Sequence, residues 1–506
     1  MLGEKMRLPA RRAIVVLGAG LGSVVALIFV LGWMSTGTGH ANAAAPSGLQ
    51  LVAERLSPVT VKTQRISLGS PFSPSAPCAQ ANLGFSPGFA QESSVAVNPR
   101  NPRQILVAWI QDGRATDVVM ASRDGGRTFS RILVPGLSAC TGGPLAVASD
   151  PGVDFSADGR QAWFSAIVVE PPAPGAESAP TSMYAFRSFD GGFSWSTPSV
   201  IQPLTGEFWD LPRLTADPRR PKKAYYVYDL REPVPTYGTK GYSLFSKTTN
   251  GGLTWSTPQK LYDPHTASSW PGISKILVNK DGSLLDVMAI VYTDPSDPST
   301  PNTTQEIAVR SVNGGRTWSK PITIGLSSGR GVTDPTTNNL LNTFDTYPSQ
   351  TVAPNGDVYV SWLQPGKTNQ SSRIAVARST DSGRHWRPGY IAVDAQAALP
   401  TIEVAGDGTV GIVYYKIAPR SVAGYWPARV AVAISRDHGL HWSRHAVAGP
   451  FNLLTTGSKA RACCFLGDFE GIGRLPHGIA AAYSMGKPRA RHNVDVYFSR
   501  ITTRRN

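Results

Sequence analysis

The chain has 506 residues, of which 50 are Gly and 41 Pro, and only 16% are charged. That much Gly and Pro, without helical or heptad periods, excludes a helical bundle or a coiled coil and points to a turn-rich all-β chain. A formal net charge of +15 would suit an anionic partner, but the basic residues are dispersed and no stacked-aromatic motif accompanies them, so no nucleic-acid partner is expected.

At the N-terminus, Lys5, Arg7, Arg11 and Arg12 precede an uncharged apolar run from Ala13 to Met34, and small residues continue to Ala45 around a cleavage-like Ala41-Asn42-Ala43. The run exceeds the usual signal core of about 7–15 residues and approaches the ~20 that span a bilayer. Residues 1–45 therefore read as a signal peptide or a signal anchor. In both cases the basic start keeps the remainder outside, and the expectation is a secreted or cell-surface protein that touches membrane only through this segment.

From Ser57, the string SPVTVKTQRISL alternates apolar residues at Val59 and Val61, then at Ile66 and Leu68, as a half-buried strand does. Beyond it a short strand–turn–strand pattern occurs seven times, beginning near Gln91, Asp150, Asp210, Pro271, Asp345, Leu399 and Leu466. Six of the seven are followed by a third alternating strand and a box: SRDGGRTFS from Ser122, SFDGGFSWS from Ser188, TTNGGLTWS from Thr248, SVNGGRTWS from Ser311, STDSGRHWR from Ser379 and SRDHGLHWS from Ser435.

The box is a hairpin device. Asp124, Asp190, Asn250, Asn313, Asp381 and Asp437 can accept bonds from the turn's own amides. The Gly two places on supplies a left-handed backbone, and the closing Phe or Trp plugs the hairpin end. Boxes 56 to 68 residues apart imply repetition of one small β-sheet unit.

These repeats resemble the Asp-box, or BNR, repeats of the sialidase (neuraminidase) superfamily over roughly residues 80 to 502. The resemblance implies a β-propeller of four-stranded blades with each box in the turn between third and fourth strands, remote from the substrate pocket. Seven strand pairs favour seven blades over six, within the roughly 4 to 8 that propellers adopt. The seventh ends after one further strand, DVYFSRI from Asp495, without a box. An open edge there would invite aggregation, so the strand from Ser57 is expected to close the ring. The chain then divides into residues 1–45, an N-terminal extension 46–90 with the ring-closing strand, and a propeller 91–506. Within it, PPAPGAESAP from Pro171 and TDPSDPSTPNTT from Thr293 read as loops between second and third strands, and RRPKK from Arg219 as a solvated turn.

Cys78, Cys140 and the adjacent Cys463 and Cys464 precede the first, second and seventh strand pairs. In an exported chain they favour disulfides. The preferred pairing bridges Cys78 or Cys140 to the Cys463/Cys464 pair; Cys78–Cys140 with a vicinal Cys463–Cys464 bond is the alternative. CxxC spacing is absent, and neither a metal nor a cofactor is expected.

Chemistry belongs at the channel mouth, where innermost strands begin. Glu92, Asp150, Asp210, Asp345, Glu403 and Asp468 are placed there, with Arg213, Tyr347 and Glu470 close in sequence. Converging carboxylates shift one another's pKa and provide general acid and base; equally, an acid before a strand can cap neighbouring amides. The resemblance implies a Tyr nucleophile, an acidic proton donor and three arginines gripping a sugar carboxylate, all converging in the mouth. The superfamily's Phe/Tyr-Arg-Ile-Pro motif is missing; Gln64-Arg65-Ile66-Ser67 is the nearest string. Two functions follow: an exported glycoside hydrolase of exo-α-sialidase type, or a non-catalytic propeller binding a glycan, a wall polymer or a protein. The expected partner is a glycan or another extracellular polymer, and the expected state a monomer.

Overall fold

The computed structural model describes residues 58–503, apart from 82–83, 175–178, 235–237, 267, 293–302, 329–331, 342–346, 366–371, 394, 458–462 and 488–493. All lie in one compact unit, 56–506. Within it the strands form seven four-stranded antiparallel sheets, the seven blades of a propeller. The innermost strands, in blade order, are Ala90–Val97, Val147–Phe155, Phe208–Ala216, Ser269–Val278, Ser349–Val352, Gln396–Val404 and Gly471–Leu475.

Seven blades, rather than six, are closed as expected. Val59–Arg65 is the outermost strand of the seventh blade and pairs antiparallel with Val494–Thr503, Val59 opposite Thr503 and Arg65 opposite Tyr497. The N- and C-terminal strands thus share one sheet. The loop from Pro171 separates second and third strands of blade two; the one from Thr293 lies largely outside the described residues.

The boxes hold their own hairpins and also tie neighbouring blades together. In the first, the Ser122 hydroxyl donates to Asp124 at 2.8 Å and accepts from the Gly126 amide at 2.9 Å. Asp124 accepts from the amides of Arg127 and Thr128 and from the Thr128 hydroxyl, and these bonds, Thr128's foremost, hold its carboxyl well below the usual range. In the fifth and sixth boxes His385 and His441 stand where Thr128 does, each with Nδ1 2.6 Å from its Asp. Three of the closing aromatics reach the preceding blade: Phe129 packs on Phe498 at 5.1 Å, Trp255 on Trp163 at 6.1 Å and Trp318 on Phe245 at 5.5 Å between centroids. The box is therefore an inter-blade clasp, and buried clusters run from blade to blade around the ring.

The preferred disulfide pairing is not the one formed. Cys78 bonds Cys140, and Cys463 bonds Cys464. The reason lies in the path of the extension: the short helix Pro77–Gln80 rests on the side of blades two and three, where Cys78 packs among Val147, Ile167 and Trp209. Its amide donates to Cys140 Sγ at 3.1 Å, so Cys140, not the seventh blade, lies within reach.

Candidate functional site

Innermost strands of five blades contain the same irregularity. In blades one, two, three, four and six the pairing register slips by one residue beside a non-Gly residue in the left-handed region: Glu92 (φ 55°), Asp150 (57°), Leu211 (52°), Ile273 (50°) and Leu399 (49°). Such a bulge re-aims a side chain and costs on the order of 1 kcal/mol or more per residue, most for β-branched Ile273. Five strained copies at the head of the channel make an asymmetric mouth. Blades one and two present carboxylates there, and blades three, four and six present Leu and Ile.

A channel of about 510 Å³ runs along the innermost strands. Arg213, Tyr347 and Asp468 line it, and Glu92, Asp150 and Asp210 stand beside them, each under one-tenth exposed. Asp150 accepts from the Ser149 hydroxyl at 3.0 Å and lies close enough to act electrostatically on both Glu92 and Asp210. Asp210 is ion-paired to Arg231 at 2.7 Å, and the same guanidinium donates to the Tyr347 hydroxyl at 3.1 Å. Arg231 stacks on Trp270 and Arg213 on Phe469, both 3.9 Å from the ring centroid. The Nη2 of Arg213 has no hydrogen-bond partner among the described residues. Arg114, exposed on the hairpin between Ile105–Gln111 and Thr116–Ser122, acts electrostatically on both Glu92 and Asp210. Three arginines and one tyrosine therefore surround a line of three carboxyl groups.

The electrostatics assign protons. Burial, then Asp468 and Asp150, pushes Glu92 well above the ordinary range, so it keeps its proton where a solvated glutamate has lost it. Burial also raises Asp210, against the pull of Arg231. Tyr347 is pushed up by burial despite Arg231, which fixes it as a neutral phenol unless a base takes its proton. Asp468 and Asp210 are the acidic groups that act on it.

Six of the sequence-selected residues thus converge: Glu92, Asp150, Asp210, Arg213, Tyr347 and Asp468. Asp345 lies outside the described residues. Glu403 does not belong to the mouth. It sits four residues past the bulge of its strand, ion-paired to Arg474 at 2.9 Å and accepting from its following amide, Val404, at 2.8 Å. Asp154, at the matching place in blade two, accepts from the amides of Ala216 and Phe155. At these two positions the amide-capping explanation holds. It does not hold at Glu92, Asp150 and Asp210, whose partners above are side chains. Glu470, pushed up to about 7 by burial, is a structural tie, accepting from Ser93 and Tyr415. Arg231 and Arg114 were missed. Arg231 follows the apolar run YYVYDL, and a charge beside Asp229 inside a strand was the available signal.

Fold and repeats define a seven-bladed Asp-box β-propeller. No protein-family model matches the chain, and no curated protein does. Among solved structures, the chain is similar to a protein of unknown function from Dyadobacter fermentans, with 15% identity over 87% of this chain and 99% of that one and a TM-score of 0.44. It is also similar to the Hadza microbial sialidase Hz136, at 12% identity over 80% and 75% with a TM-score of 0.44. The α-L-arabinanase of Penicillium chrysogenum matches at 14% over 74% and 98% with a TM-score of 0.46.

Proposed function

We propose that the chain is an exported glycoside hydrolase that removes an acidic sugar from a glycan at the channel mouth. The observation that carries this reading is the gathering of the buried carboxyls Glu92, Asp150 and Asp210 beside Arg213, Arg231 and the Tyr347 hydroxyl. In this reading Glu92 gives its proton to the glycosidic oxygen as the C–O bond breaks. Tyr347, relieved of its proton by Asp468 or Asp210, attacks the anomeric carbon, an accepted variation on two-carboxylate hydrolysis. Water then replaces tyrosine, its hydroxyl going to the sugar and its proton to Glu92, while the aspartate that took the tyrosine's proton returns it to the departing Tyr347 oxygen. Arg213, with a donor unpaired among the described residues, and Arg114 hold the sugar's carboxylate, a task that the planar guanidinium suits.

One observation favours the second reading, a non-catalytic glycan-binding propeller: Glu92, Asp150 and Asp210 are 5%, 6% and 9% exposed, so little of the acid cluster meets solvent. A fluorogenic sialoside and a panel of aryl glycosides separate the two. Turnover that falls in Glu92→Gln and Asp150→Asn while the fold is retained supports the hydrolase. Saturable glycan binding without release from any glycoside supports the binding module.

A further inference from the structure

We propose that the box-bearing face of the ring docks on anionic membrane lipid, with one basic sector, on blades three and four, seated against the headgroups. The inference does not depend on the hydrolase reading.

In an antiparallel blade the turn between strands one and two and the box between strands three and four lie on the same face, opposite the channel mouth. Their contact is direct in blade three, where the Gly251 amide of the box donates to Lys222 O of the hairpin at 2.8 Å. On blades three and four that face carries Arg219, Arg220, Lys222 and Lys223 in one hairpin, Lys280 in the next and Arg316 in a box. Arg219 bridges the two hairpins by donating to Lys280 O at 3.3 Å. Burial, then Arg220, holds Lys223 below the ordinary lysine range, as crowding of like charges requires.

Of the two hairpin acids in this sector, one is buried and the other, with its side chain 40% exposed, is ion-paired. Asp217 is buried under the Tyr225 hydroxyl and the Arg219 amide, and Asp281 is ion-paired to Arg310 at 2.6 Å. The boxes themselves supply the sharper sign. Four of the six carry Asp, and the two in this sector carry Asn250 and Asn313. Asn keeps the turn: Asn250 accepts from the Thr254 amide and donates to its hydroxyl, and Asn313 does the same with Thr317. The clasp is preserved while its negative charge is dropped where the lysines and arginines gather. At the tips of these two boxes stand Leu253 and Val312, 65% and 75% exposed.

Lipid is the occupant that all these features fit. A basic cluster of roughly four to eight residues with protruding apolar side chains is what an anionic leaflet attracts. The chain also reaches the ring through this face: Val59 pairs with Thr503, whose amide donates to His477 O in the first hairpin of blade seven. The uncharged run Ala13–Met34 precedes it in sequence.

The test uses the full chain in nanodiscs of phosphatidylcholine alone or mixed with phosphatidylglycerol. A polarity-sensitive fluorophore is placed on Leu253→Cys or, as a mouth-side control, Val422→Cys. The four native cysteines are paired and do not compete for label. Expected are a blue shift and loss of iodide quenching at position 253 only in anionic discs, reversed by molar salt, with position 422 unchanged. Asn250→Asp/Asn313→Asp, which gives these boxes the acid of the other four, should weaken the anionic response roughly tenfold without altering thermal unfolding. Equal quenching of the 253 label in both lipids, a shift at 422 instead, or no effect of the double Asp variant overturns the proposal. So does protection of the label by a DNA oligonucleotide or a soluble polyanion without protection by lipid.

Discussion

Arg231 places one guanidinium between Asp210, 2.7 Å away, and the Tyr347 hydroxyl, 3.1 Å away, so a single side chain from blade three ties an acid to the tyrosine ahead of blade five. Asp210 and Arg231 have side chains only 12% and 15% exposed. Removing one partner of such a pair strands the other charge, which costs about 3–5 kcal/mol. Arg231→Ala should therefore lower urea stability by that amount. Arg231→Lys, which keeps the charge but cannot serve both partners through one planar fork, should recover much of the stability and little of any turnover.

The proton of Glu92 should show in the pH dependence. Glu92 is raised, so the acid form persists above the ordinary carboxylate range and is lost as pH rises through its folded value. Activity limited by this donor falls on the alkaline side. Glu92→Gln should abolish that limb along with most of the rate, typically 10²–10⁴-fold for a general acid, read from kcat/KM between pH 4 and 9.

Stability should fall as pH rises, because several carboxyls are buried neutral. Glu306, buried in the third strand of blade four, is pushed up to about 8 by burial. The folded state binds this proton more tightly than the unfolded chain, whose glutamate titrates near 4.5. The contribution is fully present below about pH 4.5 and is lost as pH passes 8. Glu306→Gln should flatten the decline in urea midpoint between pH 5 and 8.5.

The two disulfides should differ in worth. Cys78–Cys140 closes 62 residues, for which chain entropy predicts about 4 kcal/mol. The vicinal Cys463–Cys464 bond closes almost no loop and should contribute far less by that route. Cys78→Ser/Cys140→Ser and Cys463→Ser/Cys464→Ser, compared by thermal unfolding, check the ranking.

Five of the six boxes should be intolerant at the glycine two places after the Asp or Asn, where an added Cβ would come within 2.6 Å of a neighbouring side chain. In Gly252, at φ +78°, a Cβ would meet the Trp163 ring at 2.5 Å, whereas at Gly69, at φ +77°, it would meet nothing within 4 Å. Gly69→Ala should cost only the backbone penalty of about 1–2 kcal/mol. Gly252→Ala should add overpacking of about 1–3 kcal/mol and loosen the joint between blades two and three.

The architecture was legible because a propeller repeats its local chemistry: each box reports a third-to-fourth strand turn, and the strand pairs counted blades that the boxes missed. The ring-closing strand was legible from alternation at Val59 and Val61. The site was legible only in part. Aligning acids by sequence grouped Glu403 with Glu92, since a one-residue bulge is invisible until pairing is known; with it in view, Leu399 takes the place of Glu92, and Glu403 matches Asp154. Arg231 stayed hidden because its partners, Asp210 and Tyr347, lie 21 and 116 residues away in the chain. The disulfide pairing turned on where the helix Pro77–Gln80 rests, against blades two and three, which no local pattern encodes.

Hydrolysis at the channel mouth is tested most directly by release of a fluorophore from an aryl sialoside and other aryl glycosides by the purified chain, beside its Asp150→Asn and Arg213→Ala variants. Turnover is expected of a glycoside bearing a sugar carboxylate, lost in Asp150→Asn through kcat and weakened in Arg213→Ala chiefly through KM. No release from any glycoside by the folded wild-type chain, or release untouched by both substitutions, would contradict it.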